Sequence, residues 1–372
     1  MSKILARIAS ETGVPRLATV LSGELRPSDL QSLLLHVYQK RAAGIGESKL
    51  IQGYGRPLLK PSGLDGRLFH QFDNAAFSAA QAFEAIELSP VCPLGLNQVL
   101  GEIGQNNVLT TIRSAEVLGD PTPVMALEAA RRRRDPKRRT TEVVRLCASQ
   151  RVIRLQPFDV PGYSPHFRLF ALVTAGRDTG SHEFEIRHLA EHIRCYLEMF
   201  RLLNARGLSL TKPLVEITDA GVVLECLQAA DVGLEELRES IRAHKAGGSE
   251  RFLAERGVKL PEAVVDPVEE LPGLAPRHRL ARAKAEIFDL LAPLFPEASF
   301  RFNLARLEGL GYYRGLCFRI SPEAPDGQRY PIVDGGFTDW TARLLQDRKE
   351  RLLATGIGSE FACLRYRSGV GS

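Results

Sequence analysis

Three strand-forming runs, Glu142–Cys147, Gln150–Phe158 and His166–Ala175, succeed one another with little between them. The Pro/Gly turn Asp159-Val160-Pro161-Gly162, before the last run, favours an antiparallel meander. Helical patterns surround it. Residues 1–50 read as helical, with Ser28 placed to cap a helix whose apolar positions Leu30, Leu33, Leu34, Val37 and Tyr38 keep a 3.6-residue period. A Gly/Pro-rich passage, Gly53 to Gly66, sets this arm apart, and Phe83–Cys92 alternates like a strand. A helix is predicted over Val124–Arg134, with Pro123 near its first turn, and an amphipathic helix over Phe184–Leu203. Residues 228–300 look mostly helical around a Pro-rich polar break, Leu260–Pro276. Further strands are expected at Phe300–Ala305, Leu316–Ile320 and Phe361–Tyr366, with a helix at Asp339–Leu353. Mixed order with adjacent antiparallel strands points to an α+β fold.

With 372 residues the chain can bury one large core and carry a smaller appendage or insertion. It has no apolar run near the roughly 18 residues a membrane span requires. Its first residues, Met1 to Arg7, lack the apolar core and cleavage site of a signal peptide. Cys92, Cys147, Cys195, Cys226, Cys317 and Cys363 are scattered without a C-x-x-C pair, as small apolar residues of a reducing compartment would be. A cytoplasmic protein is expected. The formal charge of +5 permits anionic partners without demonstrating nucleic-acid binding.

The segment Leu307-Glu308-Gly309-Leu310-Gly311-Tyr312-Tyr313-Arg314-Gly315 places paired aromatics between glycines. Glycine allows close backbone approach, and tyrosines supply flat walls with a hydroxyl. The segment resembles the histidine-pocket signature Arg-Gly-Leu-Asp-Tyr-Tyr-Thr-Gly of histidyl-tRNA synthetases. A Tyr-rich strand after a glycine turn is the plainer alternative.

Other pieces of the class II aminoacyl-tRNA synthetase core follow in order. Phe83–Pro90 resembles the first class II motif, a strand ending in proline that contributes to a dimer interface. Asp120-Pro121-Thr122 occupies the place of the Glu-Gly-Thr triplet that reads the amino group, although Asp and Thr are also favoured at any helix N-terminus. Arg151-Val152-Ile153-Arg154-Leu155-Gln156 resembles the second motif, with Arg154 on its arginine and Gln156 in place of glutamate. In the family that arginine binds the amino-acid carboxylate and the α-phosphate. His166–Gly176 aligns on the following strand, Val333-Asp334-Gly335-Gly336-Phe337-Thr338-Asp339-Trp340 resembles the Gly-Gly-Arg-Tyr-Asp loop, and Thr355–Phe361 resembles the third motif.

The resemblance implies an antiparallel sheet flanked by helices. Around it lie a helical N-terminal arm (1–65), a first part of the core (66–227), a helical insertion (228–298) and a second part of the core (299–372). It implies Arg154 as the catalytic residue, and ATP with Mg2+ as cofactor held by Arg154, Gln156 and Glu360. Asp120, Thr122, Tyr312, Tyr313, Arg177 and Arg314 are the candidate substrate-binding residues. Of the tyrosines, Tyr313 is expected to be buried and Tyr312 to line the cavity.

The sequence also departs from the pattern. Glu308 replaces the arginine before the Gly-Leu-Asp-Tyr-Tyr run, Gly311 its aspartate, and Phe361 the third-motif arginine. Leu169 and Val173 stand where histidyl enzymes have the glutamine and glutamate that bind substrate. Such a pocket should not select histidine, because the groups that pair its polar atoms are gone. The chain ends a few residues past the third motif, so no anticodon-binding domain is expected after it.

Two readings follow. One is a non-catalytic binding subunit, resembling the regulatory subunit of ATP phosphoribosyltransferase, which senses a small molecule or activates a partner enzyme. The other is a stand-alone adenylating or acyl-transferring ligase. A homodimer is expected in either case. RNA is a third partner, through the basic cluster Arg131–Arg139, which also reads as a solvated helix end. The loop Gly176–Glu185 offers Arg177 for a lost cationic role, or is simply a helix entry. His182, His188 and His192 share one helix face, where a solvated or capping role outweighs metal binding. No metal site is expected.

Overall fold

The computed structural model describes the chain except residues 1, 136, 138–140, 157–163, 234, 238–247, 259–273 and 368–372. The expected turn at 159–162 and the core of the Pro-rich break therefore lie outside the described residues. Ten strands are present among those described: β1 (Glu84–Ala85), β2 (Val91–Pro93), β3 (Ala115–Val117), β4 (Val144–Ile153), β5 (His166–Arg177), β6 (Thr211–Asp219), β7 (Ser299–Phe302), β8 (Leu316–Glu323), β9 (Val333–Thr338) and β10 (Glu350–Ile357). Eight form one sheet in the order β1-β4-β5-β10-β9-β8-β6-β7, while β2 and β3 pair separately. Every neighbour in the large sheet is antiparallel except β1 with β4 and β6 with β7. This is the expected α+β architecture, a sheet flanked by helices.

The expected pairing of β4 with β5 is present, but the runs begun at Glu142 and Gln150 merge into one strand, Val144–Ile153, and residues 157 and 158 of the second run lie outside the described residues. Ala148 and Ser149 carry the ladder through, opposite Ala171 and Phe170. The polar Ser149 is accommodated because its hydroxyl donates to Asp73 and accepts from Arg168. Phe83–Cys92 yields only the two-residue β1 and the start of β2. Phe361–Tyr366 is not a strand: Ser359–Arg365 is helical, and its buried residues Ser359, Ala362 and Cys363, with Tyr366 beyond, follow helical spacing. The helix expected at Asp339–Leu353 shrinks to Trp340–Leu345, because Gln346 turns left-handed and β10 begins four residues later. β6 and β9 were not anticipated. The Gly335-Gly336 pair disguises β9, and packing demands it. A Cβ on Gly335 would meet Thr355 at 2.2 Å, and one on Gly336 would meet Cys317 at 2.4 Å.

Alternate side chains of the central strands feed two cores. Phe170, Leu172, Phe318, Ile320 and Leu353 pack under the helix Glu183–Asn204, close to the span its periodicity predicts. Ala171, Val173, Ala175, Leu352 and Ala354 face the other way, under the helix Pro121–Arg132 and Trp340. The cavity described below opens on this second face. A third cluster joins Leu307 and Leu310 to Leu237, Phe252 and Leu253, so helices of the 228–298 region buttress the Tyr312-Tyr313 segment from below.

The N-terminal helices Ser2–Thr12, Pro27–Ala43 and Glu47–Tyr54 bury nothing of their own. Ser28 does not cap: Arg26 holds that position, with Pro27 in the first turn. Cys92, Cys147, Cys195, Cys317 and Cys363 are buried free thiols, and Cys226 is partly buried. His188 and His192 are buried, not solvated. His192 lies between the hydroxyls of Thr174 and Thr355, and His188 contacts Glu191.

Candidate functional site

Asp120 ends a β-like segment and caps the helix Pro121–Arg132, its Oδ1 accepting from the Thr122 backbone N–H at 2.8 Å and the Thr122 hydroxyl at 2.7 Å. Its other oxygen accepts from Arg154 Nη2 at 2.8 Å. Arg154 also donates through Nε to the Gly119 carbonyl at 2.7 Å and stacks over Phe167. The guanidinium is thus fixed from three sides. Asp120 thus caps a helix, and with Thr122 it lines a cavity.

That cavity measures about 240 Å³ and is bounded by Asp120, Thr122, Arg154, Tyr312, Tyr313 and Asp334. Leu169, Ala171, Ala354 and Gly356 complete its walls from β5 and β10. Where the resemblance places glutamine and glutamate, the structure puts Leu169 in the wall and Val173 fully buried behind it. The cavity therefore has an apolar side and a charged side.

Tyr312 and Tyr313 are brought in by a turn, not a strand. Gly309 and Gly311 have φ of +85° and +83°, a conformation L side chains rarely adopt, and Gly309 also lies against the Tyr313 ring. The two rings meet edge to face at 5.0 Å, and Tyr312 meets Trp340 in the same way at 5.5 Å. Tyr313 is buried and donates to Asp334 Oδ2 at 2.8 Å; Tyr312 is only partly buried. Burial, reinforced by the Asp120 charge, pushes the Tyr312 hydroxyl well above the usual tyrosine range. Burial and the Asp334 charge do the same to Tyr313. Both rings therefore act as neutral hydrogen-bonding groups near neutral pH.

Asp334 and Arg306 escaped the sequence reading. Arg306 is buried, donates to Asp334 Oδ1 at 2.5 Å, and stacks over the Tyr313 ring. A cation flanked by Leu304 and Leu307 was the signal: an arginine inside an apolar run is there to meet a carboxylate. The site thus holds two guanidiniums and two carboxylates, each already paired. Such an arrangement suits a ligand bearing both a cationic and an anionic group, an ammonium toward Asp120 and Asp334 and a carboxylate toward Arg154.

Four expected contributors lie elsewhere. Arg177, at the far end of β5, pairs with Asp347 at 2.7 Å. Arg314 points outward and meets Asp339 at 3.5 Å. Glu360 is buried among Ser62, the Arg168 backbone N–H and Arg151, where it braces helix to sheet. Gln156 is partly buried and is not among the residues bounding the cavity. In the basic cluster, Arg133 is buried against Glu350, while Arg131 and Arg132 engage Glu128 and Glu84. Arg138 and Arg139 lie outside the described residues.

At the two positions where the resemblance implies nucleotide-binding arginines, the side chains are engaged elsewhere. Glu308 pairs with Arg319, and Phe361 packs on Tyr330. Neither position supplies a cation to a triphosphate. No group of three or more His, Cys, Asp or Glu among the described residues could hold a metal ion. No helix among them is long and apolar enough to cross a membrane.

No family model matches the sequence, and no curated protein matches it. Solved structures do. An ATP phosphoribosyltransferase regulatory subunit/histidyl-tRNA synthetase from Bacillus halodurans superposes with a TM-score of 0.60 at 16% identity, over 82% of this chain and 82% of that one. A histidine–tRNA ligase subunit from Alicyclobacillus acidocaldarius gives 0.57 at 16% identity, over 82% and 95%. The ATP phosphoribosyl transferase HisG:HisZ complex from Thermotoga maritima gives 0.50 at 14%, over 79% and 97%. At such identities the likeness establishes the fold, which is the class II synthetase-like core of histidyl-tRNA synthetase and its regulatory paralogue.

Proposed function

We propose that the chain is a non-catalytic, synthetase-like subunit of the cytoplasm that binds a small amino-acid-like ligand between Arg154, Asp120, Thr122 and Tyr312 and acts on a partner enzyme. One observation carries the reading. The cavity keeps the means to hold both ends of an amino acid, the guanidinium of Arg154 and the carboxylates of Asp120 and Asp334, while the positions that would hold a triphosphate are turned to other work. The Thermotoga maritima structure, a HisG:HisZ complex by name, supports a partner enzyme for a chain of this fold. A homodimer belongs to the same proposal. The outer strand of the sheet, β1, is two exposed residues long, and the segment after it exposes Val91, Leu94 and Val99. Sedimentation at micromolar concentration tests this: a clean monomer of 41.1 kDa removes the dimer from the account.

A second reading, a stand-alone adenylating or acyl-transferring ligase, is favoured by Arg154 itself, whose fork is fixed by Gly119 and Asp120 and would suit an α-phosphate. The arms of a thermal-shift screen separate the two. A ligand of the native state raises the melting point. The binding-subunit reading requires a shift with an amino acid alone. The ligase reading requires a larger shift with amino acid and ATP together than with either. The RNA reading loses Arg133 to the interior and rests on the rest of its cluster.

A further inference from the structure

The central strands present a second cavity at the end opposite Arg154. It measures about 450 Å³ and opens beside the start of β8 and β10 and the end of β9. Leu316, Phe337 and Ala342 give it an apolar lining, and Arg279, Arg314, Arg348 and Arg351 give it charge. Most of these charges are already matched. Arg279 is held by Asp219, Arg351 by Glu185 and Asp178, and the lining carboxylate of Glu350 by Arg133. Two cations at the rim are not. Arg348 is exposed and has no ion pair among the described residues. Arg314, 57% exposed, meets Asp339 at 3.5 Å, an acceptor it shares with Arg343. In the wall, Thr338 is 4% exposed and its hydroxyl has no hydrogen-bond partner among the described residues, and one buried oxygen of the lining Glu185 also lacks one. A buried hydroxyl left without a partner is unusual in a folded protein.

The geometry points to a second binding site, for a small molecule with a carboxylate or phosphate group. Arg314 and Arg348 face the oxyanion with forks that suit either group, Thr338 supplies its otherwise orphaned hydroxyl, and the apolar lining takes the remainder of the molecule. The site does not depend on what fills the Arg154 cavity, but it is physically joined to it. Tyr312 and Tyr313 line one cavity and Arg314, the next residue, lines the other. Asp339, the partner of Arg314, precedes Trp340, whose ring lies against Tyr312. A ligand that draws Arg314 from Asp339 therefore acts on both ends of the Tyr312 wall. Any coupling of the two affinities is reciprocal.

Inorganic phosphate and malonate serve as the phosphate and carboxylate probes, titrated separately into the full chain. Binding is followed by calorimetry and by emission of Trp340, the single tryptophan. At least one probe should saturate, with heat and emission sharing a midpoint. Arg314→Gln with Arg348→Gln should weaken it about tenfold or more, as expected for losing charge-assisted contacts. Both positions are on the surface, so the double variant should melt like the wild type. Arg154→Gln should leave the isotherm in place, so that failure of the Arg154 reading and failure of this site are distinguished. The proposal is overturned if neither probe saturates, if the double variant binds unchanged, or if Arg154→Gln abolishes binding. Saturation with Trp340 emission unmoved overturns the link between the cavities.

Discussion

Arg154 Nη2 and Asp120 Oδ2 lie 2.8 Å apart, so the cation and the anion proposed to receive an amino-acid-like ligand hold each other in its absence. The ligand must therefore exchange one ion pair for two. Arg154→Ala should weaken binding by one to two orders of magnitude, since a charge-assisted hydrogen bond contributes roughly 1.5–3 kcal/mol. Arg154→Lys should recover part of this, because the planar fork is lost. Asp120→Asn tests the other half. Asparagine caps helices about as well, so the melting temperature should hold while affinity for an amine-bearing ligand falls. Equal affinity in all the variants would place the ligand elsewhere.

The two tyrosines should respond differently. Tyr313→Ala opens a cavity in packed structure and releases Asp334, and should cost about 3–5 kcal/mol in chemical denaturation. Tyr312→Phe should leave stability nearly unchanged and reduce ligand affinity. Gly336→Ala should resemble Tyr313→Ala, because its Cβ would fall 2.7 Å from the Tyr313 ring. Stability effects in the reverse order would defeat the assignment of the cavity wall.

Arg133 and Glu350 form a buried, two-pronged ion pair, with Nε–Oε2 at 2.7 Å and Nη2–Oε1 at 2.9 Å. Removing one partner strands a charge in the interior. Glu350→Leu or Arg133→Met alone should therefore destabilise by about 3–5 kcal/mol. The double replacement should recover much of that loss, since an apolar pair of similar volume is often tolerated in place of a buried ion pair. Additive losses would show that the two side chains are not energetically coupled and that each acts through its other contacts.

The central sheet was partly legible because its strongest signals are local. The strand-forming run of β5 and the helical period of Glu183–Asn204 each fit within one element. Bringing Asp120, Thr122, Arg154, Tyr312 and Tyr313 to one cavity needed more, since they come from three distant segments that only a family resemblance connects. Arg177 was misplaced by neglecting length. Eight residues of strand separate it from Leu169, about 26 Å at the usual rise. Arg314 was misplaced by direction: it follows two pocket tyrosines, but the turn through Gly311 and Gly315, both at positive φ, sends it outward. Phe361–Tyr366 shows the limit of short patterns, where six residues fit either period and packing chooses the helix.

Acid should expose His192. Burial holds its imidazole neutral and pulls its pKa down to about 3, between the hydroxyls of Thr174 and Thr355. In the unfolded chain the ring titrates near 6.5. The native state thus binds fewer protons, and stability is lost as pH falls from about 6.5 toward about 3. The slope from this group approaches about 1.4 kcal/mol per pH unit below pH 6. Denaturant midpoints at several pH values should show a shallower acid slope in His192→Gln than in the wild type. Parallel slopes would assign the acid sensitivity to other groups.

This chain is proposed to bind an amino-acid-like ligand without activating it. Amino-acid-dependent exchange of pyrophosphate into ATP measures activation directly, run for each standard amino acid beside a thermal-shift series with the same compounds. At least one amino acid should raise the melting temperature, Arg154→Ala should abolish the shift, and no amino acid, histidine included, should support exchange. Robust exchange with histidine, or with the stabilising amino acid, would show instead that the chain activates its ligand.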